Sequence, residues 1–355
     1  MPSEHDQQIP IIDSHIHLYA ASHISSLNWT ADLPENHPLN RQNSVFEYIA
    51  ASRDQSHPNL RGFVFLETDR KSGLRDSEWD DALAEVDFLV RIARGLPRDD
   101  EGHSAEESKL VLGIVPWAPV PAGKDRLAQF VQQVQKRCAE APNILKGFRY
   151  LVQDKPAGIM LQPDFVEGLQ WLGREGLAFD LGVDARSGGL HQLQEACEMM
   201  NRVYDDSSEL NIVINHFCKP NLRLSAPEAV AGHPDFTKWR EYVEKMASFD
   251  RAYMKLSGMF SELPEQDGCQ PTDISTLVDH TKPWVDVVFK AFGPARIMFG
   301  SDWPVCNVGG PGIKSSWRHW YNLVGAILDS QDLTSEQKAQ VWSATAMKAY
   351  NIHLN

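Results

Sequence analysis

Eight short apolar runs recur along this chain, separated by longer stretches of helical periodicity, and this alternation limits the fold more than any other feature. The runs are Ile11–Ile16, Gly62–Leu66, Leu110–Pro116, Ile144–Val152, Leu177–Val183, Leu210–His216, Ala252–Met259 and Arg296–Gly300. They are near-continuously apolar, as strands buried on both faces of a parallel sheet must be. Between most of them lie amphipathic segments. From Trp79 to Arg94, for example, Leu83, Val86, Val90 and Ala93 share a face, with Asp80, Asp81, Glu85 and Asp87 elsewhere. Leu127–Cys138, Phe165–Arg174, Leu190–Val203, Phe236–Met246 and Val285–Phe292 repeat the pattern. The expected fold is an α/β chain closed into a (β/α)8 TIM-type barrel. An open doubly wound sheet would alternate too, but no GxGxxG follows the first strand.

The 355 residues exceed the roughly 250 of a plain barrel. We therefore expect one domain over residues 1–355, with loop insertions and C-terminal helices. Tyr19–Asn43 reads as a long helix-poor loop, Gly95–Lys109 as a mobile polar surface insertion, and Phe260–Lys282 as a Pro- and Gly-rich loop. Two helices, Trp317–Leu328 and Ser335–Tyr350, end the chain, the second with Thr334 as N-cap. Loops that follow strands lie on the catalytic face of a barrel, so those after strands one, seven and eight are candidate walls of a site.

Composition bears on partners. With 34 Lys plus Arg against 48 Asp plus Glu, the net charge is −14, which argues against nucleic acid or an anionic membrane surface. No apolar run approaches the roughly 20 residues of a membrane span. The first ten residues, MPSEHDQQIP, carry no signal-peptide pattern. Five Cys, an odd number without CxxC spacing, suggest free thiols in a reducing cytoplasm. Among them Cys218, beside His216, reads as a buried thiol rather than a nucleophile, since no base is obviously placed to activate it.

The strongest local signal is Asp13-Ser14-His15-Ile16-His17 at the end of the first strand. Alternation points His15 and His17 to one side, where two neutral imidazoles suit a divalent metal; two hydrogen-bonded histidines are the alternative. Asp302, in Phe299-Gly300-Ser301-Asp302-Trp303-Pro304, ends strand eight, adjacent to strand one in a closed barrel. It could ligate the ion or deprotonate water, or else cap a turn. His216 closes strand six within Asn215-His216-Phe217-Cys218-Lys219-Pro220 and could bind substrate, move a proton or complete a metal site, if it is not a core histidine. Arg149, in Lys146-Gly147-Phe148-Arg149-Tyr150, could polarise a carbonyl, or serve a structural ion pair. Glu67, ending strand two, is a candidate third ligand. Of ten Trp, we expect Trp117, Trp303 and Trp29 to wall a pocket for a hydroxylated ring, and the others to pack helices.

Taken in order, DSHIH, LKGFRYLVQDKP, INHFCKP, MKLSGMF and MFGSDWP resemble the amidohydrolase superfamily. More narrowly they resemble its lactonase-like branch, which includes sugar-acid lactonases and 2-pyrone-4,6-dicarboxylate lactonase. Within that branch, GFRYLVQDKP and NHFCKP look most like the fungal L-rhamnono-1,4-lactonases. The resemblance implies hydrolysis of a sugar-acid lactone to its aldonate in sugar catabolism. It also implies the residue roles: His15 and His17 as the strand-one pair, His216 as the strand-six histidine, Asp302 as general base and Arg149 facing substrate. One divalent ion, zinc, is the expected cofactor, with metal-free catalysis as the alternative. The superfamily's two-metal sites use a carboxylated Lys at the end of strand four, but Lys146 begins that strand; strand five, ending at Asp184, has no His. That absence counts against the rival reading, a metal-dependent decarboxylase. A non-catalytic ligand-binding barrel is the other rival, and the acid–base set counts against it. A single well-placed Arg favours a neutral lactone over a dicarboxylate.

Overall fold

The computed structural model of the protein describes residues 9–53, 59–205, 208–267 and 270–354. Most of the N-terminal segment read above, and Cys269, fall outside them.

Each expected apolar run coincides with a strand, β2 starting two residues before its run: β1 (Ile11–Ile16), β2 (Leu60–Leu66), β3 (Val111–Val115), β4 (Gly147–Arg149), β5 (Ala178–Leu181), β6 (Ile212–Ile214), β7 (Ala252–Leu256) and β8 (Ile297–Phe299). All pairings are parallel, in the orders β1-β2-β3 and β4-β5-β6-β7-β8. Two seams join these sheets. Parallel bridges Ile114↔Leu145 and Trp117↔Arg149 connect β3 to β4, and Ile16↔Trp303 connects the end of β8 to β1. At the second seam His17 N–H donates to Trp303 O at 2.7 Å, and Asp302 N–H to His15 O at 2.9 Å. The barrel is thereby closed, and closure sets Asp302 beside the two β1 histidines.

Strand β1 does not alternate cleanly. Asp13 pairs with Phe63 and Ile16 with Phe65, so the register slips between them by one residue. This bulge changes the parity of the strand: Ile12 packs in the barrel interior, and His15, three residues on, also points inward. Outward-facing strand residues such as Phe63, Phe148, Phe179 and Phe299 pack against the helices.

The helical ring comprises α1 (Val45–Ser52), α2 (Asp80–Arg94), α3 (Lys124–Cys138), α4 (Pro163–Arg174), α5 (His191–Tyr204), α6 (Ala226–Val230), α7 (Pro234–Ala247), α8 (Ile274–Phe292) and α9 (Ser316–Ser330). The segment after Ser335 runs as α10 (Ser335–Ala339), a π turn (Gln340–Ala344) and α11 (Thr345–Ala349). Thr334 caps it, accepting from Gln337 N at 3.2 Å. Its inner face, Ala346, Ala349, Tyr350 and Ile352, packs on interior residues Ile12, Val64, Val213, Tyr253 and Met298. The C-terminal segment thus plugs one end of the barrel.

Two segments differ from expectation. Helix α8 begins at Ile274, inside the stretch read as loop, and continues through Pro283. The Thr281 hydroxyl donates to Leu277 O at 2.8 Å, and the apolar face Leu277, Trp284, Val285, Val288 is buried, which outweighs the missing proline donor. Nor does Gly95–Lys109 read as a loose insertion. Glu101 is buried and ion-pairs with Arg91; His103 is buried beside it; Ser44 Oγ donates to Glu101 O at 2.6 Å. No helix among the described residues is long and apolar enough to cross a membrane.

Candidate active site

The ends of β1, β2, β4, β6 and β8 converge on a cavity of about 430 Å³. Among its lining groups are His17, Glu67, Arg149, His216 and Asp302, with Tyr19, Trp29, Leu33, Leu39, Leu151 and Val305 as apolar walls and Gln153, Asp154 and Lys219 as polar ones.

Three donors form the tightest cluster. His15 Nε2 and His17 Nε2 are 3.2 Å apart, and Asp302 Oδ1 is 3.5 Å from the first and 3.6 Å from the second. Ligands at about 2.0–2.1 Å around a tetrahedral ion sit about 3.3 Å from one another, so these spacings match one divalent cation with three protein ligands, the pattern of catalytic sites. His17 Nδ1 faces the carbonyls of Leu66 (3.0 Å) and Glu67 (2.9 Å), so the proton resides there and Nε2 keeps its lone pair. His15 Nδ1 faces Lys255 Nζ at 3.2 Å, and burial brings that ammonium down to about 8, which makes the neutral amine accessible. The donor set therefore fits a metal.

Asp302 carries positive φ (58°), as does His216 (53°). His216 opens a run of four left-handed residues with Phe217, Cys218 and Lys219, anchored where Trp239 Nε1 donates to Phe217 O at 2.8 Å. The turn brings His216 Nε2 to 3.7 Å from Asp302 Oδ1, and its ring to 4.5 Å from that of His15. Burial alone would raise the Asp302 carboxyl; His216, His17 and Lys219 outweigh it and hold it below the usual carboxylate range. Asp302 is thus ionised at neutral pH. Burial drives His15 well down and His216 down to about 3, so both imidazoles are neutral.

Arg149 is buried, with Nη1 3.5 Å from Glu67 Oε1 and Nε lacking a partner among the described residues. Glu67 departs from its expected place. Its carboxyl accepts from Asp69 N–H and turns to Arg149, outside the His15–His17–Asp302 group. Burial lifts it to about 8, which favours the neutral acid and weakens it as a ligand. Its main-chain carbonyl, rather than its side chain, serves the site by orienting His17.

Of the tryptophans, Trp29 lines the cavity, fixed by Nε1 donation to Thr68 O at 2.8 Å. Trp117 and Trp303 do not. Trp117 turns out to Phe130 of α3 (5.3 Å between ring centroids), and Trp303 packs on Tyr48 (5.5 Å). Each is adjacent in sequence to a site segment, but its ring packs into the helical layer. Cys218 is buried, and burial raises its thiol well above its usual value, in line with an inert thiol. Lys219, Lys255 and Asp180 received no role from sequence, although Lys219 and Lys255 lie inside two of the quoted motifs.

The amidohydrolase family model matches residues 12–352. The chain is 35% identical over 348 residues to L-rhamnono-gamma-lactonase of Scheffersomyces stipitis, covering 96% of this chain and 98% of that one. It is 28% identical over 221 residues to L-fucono-1,5-lactonase of Burkholderia multivorans, covering 61% and 67%. Among solved structures, an amidohydrolase from Burkholderia multivorans with bound zinc superposes with a TM-score of 0.66 at 23% identity, over 97% of this chain and 100% of the other. The match over nearly the whole chain, with a barrel whose strand ends gather two histidines and an aspartate, makes this protein a member of the amidohydrolase family.

Proposed function

We propose that this protein hydrolyses a sugar-acid lactone, L-rhamnono-1,4-lactone or a close aldonolactone, to the open-chain aldonate. The observation that carries this reading is Asp302, ionised and set among His15, His17 and His216 in a cavity that Arg149 also lines. A divalent cation, zinc in our reading, held by His15, His17 and Asp302 would supply Lewis-acid polarisation and a more acidic water. Asp302 accepts the proton as water adds to the lactone carbonyl carbon. Arg149, with Nε free of partners among the described residues, stabilises negative charge on the carbonyl oxygen. When the ring C–O bond breaks, the alkoxide takes back a proton from Asp302, or from the neighbouring His216. Atoms balance: water and lactone become hydroxy acid.

The lining suits such a substrate. Gln153, Asp154 and Lys219 offer hydrogen bonds to hydroxyls, whereas Leu33, Leu39, Tyr19 and Trp29 suit ring carbons and a terminal methyl. Four free, buried cysteines among the described residues accord with a reducing cytoplasm. The test is acid release, followed with a pH indicator, from a panel of 1,4- and 1,5-aldonolactones with and without chelator. Turnover of 6-deoxy lactones, lost on chelation and restored by zinc, is expected. No acid from any lactone would overturn the assignment; chelator-resistant turnover would remove only the metal.

A further inference from the structure

Strand β7 gives no donor to the Asp302 cluster, yet it is the strand whose inward residues touch two of the three histidines. Lys255, in β7, and Ser257, one residue past its end, are two residues apart and turned to the same side. Lys255 Nζ is 3.2 Å from His15 Nδ1, and Ser257 Oγ is 2.9 Å from His216 Nδ1. Gly258 completes the arrangement: at φ 65°, a Cβ there would lie 2.3 Å from His216 Nδ1. The next residue thus has to be glycine for His216 to reach Ser257.

Lys255 is itself held from below. Its Nζ donates to Asp180 Oδ1 at 2.6 Å, and Tyr350 OH donates to Asp180 Oδ2, also at 2.6 Å. Lys255 and Asp180 are fully buried and Tyr350 nearly so. Tyr350 follows α11, in the segment that plugs the barrel. A continuous chain of contacts therefore runs from the C-terminal plug through Tyr350, Asp180 and Lys255 to His15.

We propose that β7 is an orienting strand: Lys255, braced by Asp180 and Tyr350, fixes the ring of His15, and Ser257 fixes that of His216. These are positioning residues, acting through the histidines they face. His17 is the internal control, because its Nδ1 partners are main-chain carbonyls that no side-chain substitution removes. Holding a ring by its far nitrogen decides both its rotation and which nitrogen presents a lone pair to the site. The rate arm of the test rests on the lactonase reading; the ring arm does not.

The test uses the full-length protein labelled with 15N-histidine, with ring signals read by long-range NMR. Removing Lys255 alone leaves Asp180 as a buried, unpaired carboxylate, so Lys255→Met is made together with Asp180→Asn. Tyr350→Phe is a milder probe that deletes one hydroxyl. Lys255→Met/Asp180→Asn, and to a smaller degree Tyr350→Phe, should move the His15 ring signals and leave His17 and His216 in place. Ser257→Ala should move only His216. Each of the two main variants should lower kcat at least about tenfold with KM within about twofold, as loss of an orienting partner does. Ring signals that stay put, or all three histidines moving together, would overturn the proposal whatever the substrate proves to be. If the rings respond as stated but no lactone is turned over by the wild type, the orienting role stands and the lactonase reading fails. Should the double variant not fold, Tyr350→Phe and Ser257→Ala carry the same crossed comparison.

Discussion

The carboxylate of Asp13 accepts the main-chain N–H of Ser301 at 2.7 Å, tying the start of the DSHIH segment to the residue that precedes Asp302. Its other oxygen takes Trp317 Nε1 and Tyr48 OH, each at 3.0 Å. Asp13 thus joins β1, the loop after β8, α1 and α9 at one buried point. Replacing it by Ala strands three donors in the core. Hydrogen bonds to a charged group contribute about 1.5–3 kcal/mol each and are not additive. Asp13→Ala should therefore cost about 3 kcal/mol or more in urea unfolding and lower kcat by displacing Asp302. Unchanged stability would contradict this role.

Two tryptophans separate packing from binding. Trp29→Ala removes a cavity wall and should raise KM severalfold while the melting temperature changes little. Trp117→Ala leaves a hole against Phe130 and should cost about 3–5 kcal/mol of stability, with KM preserved in the molecules that stay folded. Steady-state kinetics and thermal melts on the pair check both statements.

Arg149 packs against Gly182, where an added Cβ would come within 3.0 Å of Nη2 and 2.9 Å of Leu151 Cδ1. Gly182→Ala should therefore push the guanidinium aside and lower kcat/KM without any loss of charge. Arg149→Met should lower kcat by about 10²–10³-fold, the usual effect of removing a donor to an oxyanion. If Gly182→Ala leaves kcat/KM unaltered, Arg149 does not need its present position.

The Glu101–Arg91 pair gives a pH prediction remote from the chemistry. Burial alone would raise the Glu101 carboxyl, but the Arg91 guanidinium, His103 and Arg98 N–H outweigh it and hold it below the usual range. A carboxyl depressed in the folded state contributes stability that is present above its unfolded value, about 4.3, and is lost as pH falls through the folded value. Wild type should thus melt higher than Glu101→Gln at pH 7, and the gap should close as the pH is taken down toward 3. A gap independent of pH would contradict the ion-pair account.

The barrel was legible because eight apolar runs must be buried on both faces, and that burial is written in composition. Asp302 could be set beside His15 and His17 from topology alone, since a closed barrel puts its last strand against its first. Other features depend on contacts between distant segments, which no local pattern encodes. Glu67 ends a strand as a ligand would, but Arg149 and the Asp69 N–H claim its carboxyl. Trp117 and Trp303 stand next to site residues in sequence, but their rings pack against the helices. The one-residue slip in β1 that brings His15 inward leaves no mark in the DSHIH spacing. Only the second half of α8, Val285–Phe292, was legible; its first half was masked by Pro283, whose cost is offset by burial of its neighbours.

The central claim is that Asp302 acts as the base in opening a lactone ring. It is tested most directly by the rate of acid release from L-rhamnono-1,4-lactone with wild type and Asp302→Asn side by side, with circular dichroism as a check on folding. The account predicts rapid release by wild type and a kcat lower by about 10²–10⁴-fold in the folded variant. A folded Asp302→Asn protein that releases acid at the wild-type rate would contradict it.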